Sequence, residues 1–173
     1  CALPISGVLM TLEEELGLDR KALVAAAFAA GAVGLIMAKR ATFAAESAGC
    51  QVEIGIAGAM AAAAAVEAVG GTANDALDAA AVALQNTMGS VCDPVGGGCE
   101  IPCHSRNALA AAAAFTNADL VLGGYPNPIP LDEMIDASYQ VGRMLPSELR
   151  CTARGGIAVT PSAQALVAEN PIS

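Results

Sequence analysis

Long alanine-rich stretches alternate along the chain with short segments rich in glycine and proline. Within the long stretches the apolar positions follow a helical repeat, as in Ala76, Leu77, Ala80, Ala81 and Leu84. No alternating strand pattern of useful length and no repeat of fixed period is present. The pattern predicts an all-α protein, a single compact domain of roughly six to eight helices. A short strand near residues 155–159 is the one exception left open.

Helix boundaries follow from residues that start and stop helices. Asp19 and Thr72 are typical N-caps, with Asp75 at the third position after Thr72, and Gly70 and Gly71 are typical of a helix end. Pro161 fits the first turn of a last helix, with Thr160 as its cap. The predicted helices span 7–18, 20–40, 52–69, 73–88, 104–122 and 131–144, followed by a turn from Pro146 and a helix from 161, and the expected buried set of 131–144 is Met134, Ile135, Tyr139 and Val141.

One uncharged stretch, Ala22 to Ala38, approaches the length of a membrane-spanning helix. It consists mostly of alanine, which favours membrane insertion only weakly, and Lys21 and Lys39 flank it symmetrically. We therefore expect a buried central helix here and no membrane association.

Composition limits the classes of function. Apolar residues make up 55% of the chain but aromatic residues only 3%, so the helices should pack closely through small side chains. A net charge of −9 argues against nucleic-acid binding. The 6 cysteines do not fit a small disulfide-stabilised domain, and no secretory leader is visible, so we expect a cytoplasmic protein whose thiols act as ligands.

The segment between residues 90 and 107 combines Cys92, Cys99 and Cys103 with three consecutive glycines at 96–98. Glycines permit sharp turns and a close approach of the backbone to a bound group. Soft thiolates select zinc, copper(I) or an iron–sulfur cluster, and the spacing lacks the paired cysteines of common zinc sites. Spacing alone leaves a cluster and ordinary buried thiols about equally probable.

Several strings resemble the signature of iron–sulfur-dependent L-serine dehydratases (L-serine ammonia-lyases), in their α subunit or α domain. The most specific are Cys92-Asp-Pro-Val-Gly-Gly97, Glu100-Ile-Pro-Cys103 and Arg106-Asn107. Further similar strings are Ala48-Gly-Cys50-Gln-Val-Glu53-Ile-Gly55, Ile129-Pro130 with Asp132-Glu133, and Gly155-Gly156 with Thr160-Pro161. The resemblance covers residues 7 to 169.

The resemblance implies a [4Fe–4S] cluster held by Cys50, Cys92 and Cys103, with one iron left open as a Lewis acid. The implied reaction is α,β-elimination of L-serine to pyruvate and ammonia without pyridoxal phosphate. Partners implied in this way are the small amino-acid substrate, a β subunit or β domain, and further copies in a homo-oligomer. By itself the chain is expected to be inactive.

Further residues are candidates for substrate binding, catalysis or ligation. Arg106 and Asn107, in the first turn of a helix, are candidates to bind the substrate carboxylate. His104 is the single histidine and a weak candidate for the general base. Cys99 is a possible fourth thiolate, whereas Cys151 is expected to be an ordinary buried thiol.

Two segments depart from the family pattern. Residues 42–45 replace a serine-rich stretch, and residues 1–6 do not resemble the family's start, so we expect a truncated chain whose residues 1–6 are non-native or disordered. A related dehydratase or desulfidase acting on another small β-substituted amino acid is therefore an alternative. A non-catalytic, metal-stabilised helical domain is another.

Overall fold

The computed structural model describes residues 3–169, and this part of the chain is an all-α domain without strands, as predicted. One isolated parallel bridge joins Cys92 to Arg150. The short strand that the sequence left open at 155–159 is not formed, because Gly156–Val159 forms a 3-10 turn. The helices are α1 Leu3–Leu16, α2 Arg20–Arg40, α3 Ala45–Ala48, α4 Ile54–Ala68, α5 Ala73–Thr87, α6 Cys103–Leu122, α7 Leu131–Met144 and α8 Pro161–Glu169, with 3-10 turns at Cys50–Val52, Val95–Gly97, Ser147–Leu149 and Gly156–Val159.

Helix α4 is the centre of the fold. It packs against α1, α2, α5 and α6, and 12 of its 15 residues are buried. Most of these are alanines and glycines, so neighbouring backbones approach α4 closely. Where α6 crosses α4, for example, a Cβ atom at Gly58 would lie 3.5 Å from Ala110 Cβ. This crossing fixes the start of α6 relative to the start of α4, where two of the candidate ligands lie.

Helix α2 has the predicted boundaries, but the expectation that it is the buried central helix is wrong. Only one face is buried, around Ala30, Val33 and Met37, whereas Phe28 is 74% and Leu35 59% exposed. By length and composition alone, Arg20–Arg40 and Cys50–Ala68 could each cross a membrane. In the folded chain 28% of the most apolar stretch of the first and 83% of that of the second is buried. Both helices are apolar, and packing alone distinguishes the central one.

The predicted caps are present. The Asp19 side chain accepts a hydrogen bond from the Ala22 N–H, and Thr72 with Asp75 forms a reciprocal capping box at the start of α5. These bonds satisfy backbone donors that an α-helix leaves unpaired in its first turn. Cap chemistry therefore explains why these two starts were predicted correctly.

Helix α1 begins at Leu3, four residues before the predicted start at Gly7. Pro4 is buried in the first turn, where a missing N–H leaves no hydrogen bond unmade. Residues 3–6 are thus helical, while Cys1 lies outside the described residues. That residues 1–6 are not native stays a prediction.

Helix α7 joins the bundle to the segment that carries Cys50. Met134 and Ile135 are buried as predicted, but Tyr139 and Val141 are only half-buried. The small residues Ser138 and Gly142 are buried instead, and any Cβ at Gly142 would overlap Ala48 at the end of α3. The fit between α7 and α3 therefore requires a glycine, and it holds the chain entering the Cys50 turn.

Candidate metal centre

Three separate segments carry the predicted ligands. Cys50 opens the 3-10 turn between α3 and α4, Cys92 lies in the loop after α5, and Cys103 is the first residue of α6. Gly49 brings the first two segments together, because its φ is +75° and a Cβ there would lie 2.7 Å from the Ser90 carbonyl oxygen. The contact explains how residues far apart in sequence meet at one place.

The tightest part of the site combines two thiols and a carboxylate. Cys50 Sγ, Cys92 Sγ and a Glu53 carboxylate oxygen all lie within 4.8 Å of one another. Cys50 is 1% and Cys92 2% exposed, while Glu53 is half-buried. Two thiolates at this separation suit an iron–sulfur cluster, and the Glu53 carboxylate lies beside them.

A cavity of about 210 Å³ lies beside this group. Its wall includes Cys92, Cys103 and Glu53, so the cysteine of α6 faces the same space as the cysteine of the loop. The remaining lining includes Cys99 and Cys151, the carboxylate of Glu46, and the apolar side chains of Phe43 and Ala45. The cavity wall thus combines thiols with apolar side chains. The apolar side chains belong to residues 42–45, the segment that departs from the family pattern.

Cys151 also lines this cavity, and its expected role as an ordinary thiol stays a prediction. Its N–H donates to the Cys92 carbonyl at 2.8 Å, and the Cys92 N–H donates to the Leu149 carbonyl at 2.8 Å. Burial raises the pKa of the Cys151 thiol, and the neighbouring Cys92 thiol opposes this shift. Cys151 is half-buried and adopts a φ of +62°, a left-handed conformation that is uncommon for residues other than glycine.

Cys99 lies on the exposed edge of the cavity. The glycines before it form the predicted sharp turn, since Gly96 and Gly97 both have positive φ. Within this turn the Gly97 N–H donates to the Pro94 carbonyl and the Gly98 N–H to the Val95 carbonyl. These amides stabilise the turn itself, and Gly97 contributes to the cavity wall.

The thiols differ in acidity because of their neighbours. A hydrogen bond from Cys92 lowers the pKa of Cys50 despite the opposing effect of burial, and Arg106 lowers it further. The same hydrogen bond, together with burial, raises the pKa of Cys92 well above its usual range. Burial raises the pKa of Cys103 to about 11. Cys50 is therefore the most acidic of the three predicted ligands.

The structure separates the other predicted site residues. Arg106 is part-buried, forms a salt bridge with Asp93 and lines a cavity together with Cys50, whereas Asn107 is buried and its Nδ2 donates to the Cys103 carbonyl at 2.7 Å. Asn107 Oδ1 is buried and accepts no hydrogen bond from the described residues. His104 is exposed and does not line the cavity. Its position next to Cys103 in sequence therefore does not bring its imidazole to the site.

Two acidic residues at the site were not predicted. Glu53 follows Cys50 by three positions and therefore returns to the same side of the helical chain. Asp93 is 2% exposed and forms a salt bridge with Arg106. Both residues lie in the strings that carry the family resemblance, and those strings are the sequence signal that could have identified them.

Comparisons with known proteins agree with this description. A family model described as "Serine dehydratase alpha chain" matches residues 1–158. The chain is 46% identical over 162 residues to "Probable L-serine dehydratase, alpha chain" of Latilactobacillus sakei. The aligned residues cover 94% of this chain and 78% of that protein. It is 43% identical over 162 residues to the protein of the same name from Bacillus subtilis, covering 94% and 54%.

A third relative, "L-serine dehydratase, alpha chain" of Peptoniphilus asaccharolyticus, is 40% identical over 157 residues, covering 91% of this chain and 54% of that protein. The chain thus spans about half the length of two of these curated relatives and about three quarters of the third.

Proposed function

The chain belongs to the serine dehydratase alpha chain family, and from this we propose that it carries the [4Fe–4S] site at which L-serine is dehydrated to pyruvate and ammonia. The observation that carries the proposal is that Cys92 and Cys103 line one cavity, while Cys50, from a third segment, places its Sγ within 4.8 Å of Cys92 Sγ.

The donor set fits such a cluster. Cysteine thiolates are the usual ligands of iron–sulfur clusters, and Cys50, Cys92 and Cys103 occupy the positions that the family resemblance implies. Arg106 lines a cavity together with Cys50 and lowers the pKa of its thiol, which favours an anionic group at this place. Glycine at positions 96 and 97 keeps the loop compact beside the thiols.

The bound cluster supplies a Lewis acid for the β-hydroxyl of serine, which otherwise leaves poorly. The protein must also accept the proton from the α-carbon. Glu53 is the best-placed acceptor because its carboxylate borders both the thiols and the cavity. Loss of the α-proton to Glu53 and of hydroxide from the β-carbon leaves aminoacrylate, which tautomerises and hydrolyses to pyruvate and ammonia.

Anaerobic reconstitution with iron and sulfide tests the cluster. We expect about four iron and four sulfide per chain and a broad visible absorption band. Separate replacement of Cys50, Cys92 and Cys103 by serine should abolish this loading, while Cys99→Ser and Cys151→Ser serve as matched controls from the same cavity. Full loading of the Cys50, Cys92 and Cys103 variants, or stoichiometric zinc in place of iron, contradicts the proposal.

The role of Glu53 is tested separately. Glu53→Gln keeps the size of the side chain but removes its basic oxygen, so turnover should fall at least about 100-fold with cluster content unchanged. The equivalent change at Glu46, which lines the same cavity, is the control. Equal losses in the two variants contradict a specific role for Glu53.

A second substrate is favoured by one observation. Phe43 and Ala45 place apolar surface at the cavity, in the segment that departs from the family's serine-rich stretch. A less polar β-substituent, as in cysteine, would suit this wall. Comparing the release of pyruvate or 2-oxobutyrate from serine, threonine and cysteine decides between a dehydratase and a desulfidase.

We also propose that the active assembly contains a β chain. The three relatives described above are named alpha chains, which implies a partner of another type. Activity of the reconstituted chain should therefore require addition of that partner, and full turnover by the chain alone contradicts this requirement.

A further inference from the structure

The guanidinium of Arg106 is already engaged by the protein. Its Nη1 donates to the Val91 carbonyl at 2.9 Å and to Asp93 Oδ1 at 2.8 Å. Arg106 and Cys50 also line the same cavity, of about 310 Å³, and Arg106 lowers the pKa of the Cys50 thiol. Arg106 therefore lies beside a predicted ligand, before any substrate is considered.

Asp93 is a deeply buried partner of Arg106. Its side chain is 3% exposed, and its two oxygens bind different segments: Oδ1 accepts from Arg106, and Oδ2 accepts from the Ile157 N–H at 2.8 Å. A carboxylate buried to this extent requires a charged or hydrogen-bonded partner on each side. Asp93 thus joins the cysteine loop, helix α6 and the Gly156–Val159 turn.

Gly156 shows how closely the last of these segments approaches Asp93. Its φ is +63°, and a Cβ added there would overlap the Asp93 carboxylate. The turn is therefore shaped to receive the carboxylate, with the Ile157 N–H directed at it. This fit restricts the positions available to Asp93, and through Asp93 those available to Arg106.

We propose that Asp93 is a positioning residue that holds the Arg106 guanidinium against Cys50, so that Arg106 serves a ligand thiolate and not the substrate carboxylate. The inference rests on the proposed cluster. A cationic donor beside a ligand sulfur stabilises the anionic centre, and hydrogen bonds to the sulfurs are one of the factors that set the potential of a cluster. Arg106 thereby has a defined role that does not require contact with serine.

The reduction potential of the reconstituted cluster is the deciding measurement. Arg106→Gln removes the positive charge and should make the potential more negative, whereas Arg106→Lys keeps the charge and should shift it less. If Asp93 acts through Arg106, the shift caused by Arg106→Gln should be several-fold smaller in an Asp93→Asn background. A merely structural role of Asp93 would leave the two effects additive.

The chain offers matched controls on its surface. Arg40 pairs with Asp132 and Asp136, and none of the three lines the cavities that the cysteines line, so Arg40→Gln and Asp136→Asn remove the same chemical groups without touching the site. Both should leave the potential and the iron content unchanged. Arg106→Lys keeps the test informative if the Asp93 variant folds poorly.

The outcomes separate the two proposals. An unchanged potential in Arg106→Gln, with a raised KM for serine in the assembly with its partner, overturns the inference and returns Arg106 to the substrate. Additive shifts in the double variant overturn the role of Asp93 alone. A wild-type chain that binds no iron overturns the proposed cluster itself. The first two outcomes are measured on a loaded cluster, so they cannot be confused with this one.

Discussion

The cysteine loop and the outer surface of the bundle both pair arginine with aspartate, but at different depths. Arg106 and Asp93 have side chains that are 27% and 3% exposed, whereas Arg40 is 37% exposed and its partners Asp132 and Asp136 are 58% and 43% exposed. The distances are similar, with Nη1 of Arg106 at 2.8 Å from Asp93 and Nη2 of Arg40 at 2.6 Å from Asp136.

The difference lies in what each pair would lose. Water can replace either partner of Arg40, so the surface pair joins α2 to α7 with little consequence for stability. Water cannot replace either member of the pair at the buried Asp93, whose carboxylate also accepts a hydrogen bond from the Ile157 N–H. The buried pair therefore stabilises the segments around the site, whereas the similar exposed pair of Arg40 contributes little to stability.

Removing the buried carboxylate should have the largest effect. Asp93→Ala leaves Arg106 without its partner and the Ile157 N–H without an acceptor, and it should lower the free energy of unfolding by about 3 kcal/mol. This figure is at the lower end for a buried pair because Arg106 is partly exposed. Urea unfolding followed by circular dichroism measures it, and a loss below about 1 kcal/mol contradicts the buried-pair interpretation.

Gly156→Ala should have the next largest effect. The new side chain must adopt a positive φ and displace the Asp93 carboxylate, which together should destabilise the chain by about 2 kcal/mol or more. Gly70→Ala is the matched control, because Gly70 has a φ of +82° with nothing near its Cβ position. Equal destabilisation of the two variants would show that the contact with Asp93 contributes nothing.

The capping box of α5 provides a smaller and pH-dependent effect. Hydrogen bonds from Thr72 lower the pKa of Asp75 below its ordinary value of 3.8. The stabilisation by its carboxylate is therefore complete above that value and is lost as the pH falls through the lower pKa of the folded state. Asp75→Asn should be slightly less stable than wild type at pH 7, and the difference should narrow only below pH 3.8 in thermal unfolding. A gap that stays constant into acid contradicts the capping role.

Arg40→Gln should change stability least. Its exposed ion pairs are screened by salt and compete with water, so the unfolding midpoint should stay within experimental error. Repeating the measurement at low and high salt sharpens the comparison, since any small difference should vanish at high salt. A clear loss that persists in high salt would mean that α2 and α7 depend on this pair.

Local chemistry in the sequence predicted much of the fold. Helix α2 begins after its Asp19 cap, and Pro130 precedes a well-defined α7, so both ranges were correct. The depth of each helix was not predictable in the same way. The apolar runs of α2 and α4 look alike in composition, and only packing places α4 at the centre.

The site shows the same limit. Cys50, Cys92 and Cys103 were identified through the family strings, but the contact between Cys92 and Cys151 depends on the backbone pairing of two distant segments. His104 shows the converse, because consecutive helical residues point about 100° apart and adjacency to Cys103 does not imply a shared direction. Proximity in sequence and proximity in the folded chain agree only at helical spacing, as for Glu53.

The alanines of α4 have a thermodynamic consequence. Alanine has no side-chain rotamers to lose, so ordering the centre of this protein carries little conformational entropy cost beyond that of the backbone. Each alanine also buries little apolar area, so cohesion depends on many short contacts between backbones and methyl groups. An added methyl group at Gly58 would only reach ordinary contact with Ala110 Cβ, at 3.5 Å, so the tolerance of this crossing to residues larger than alanine should be set by helix separation.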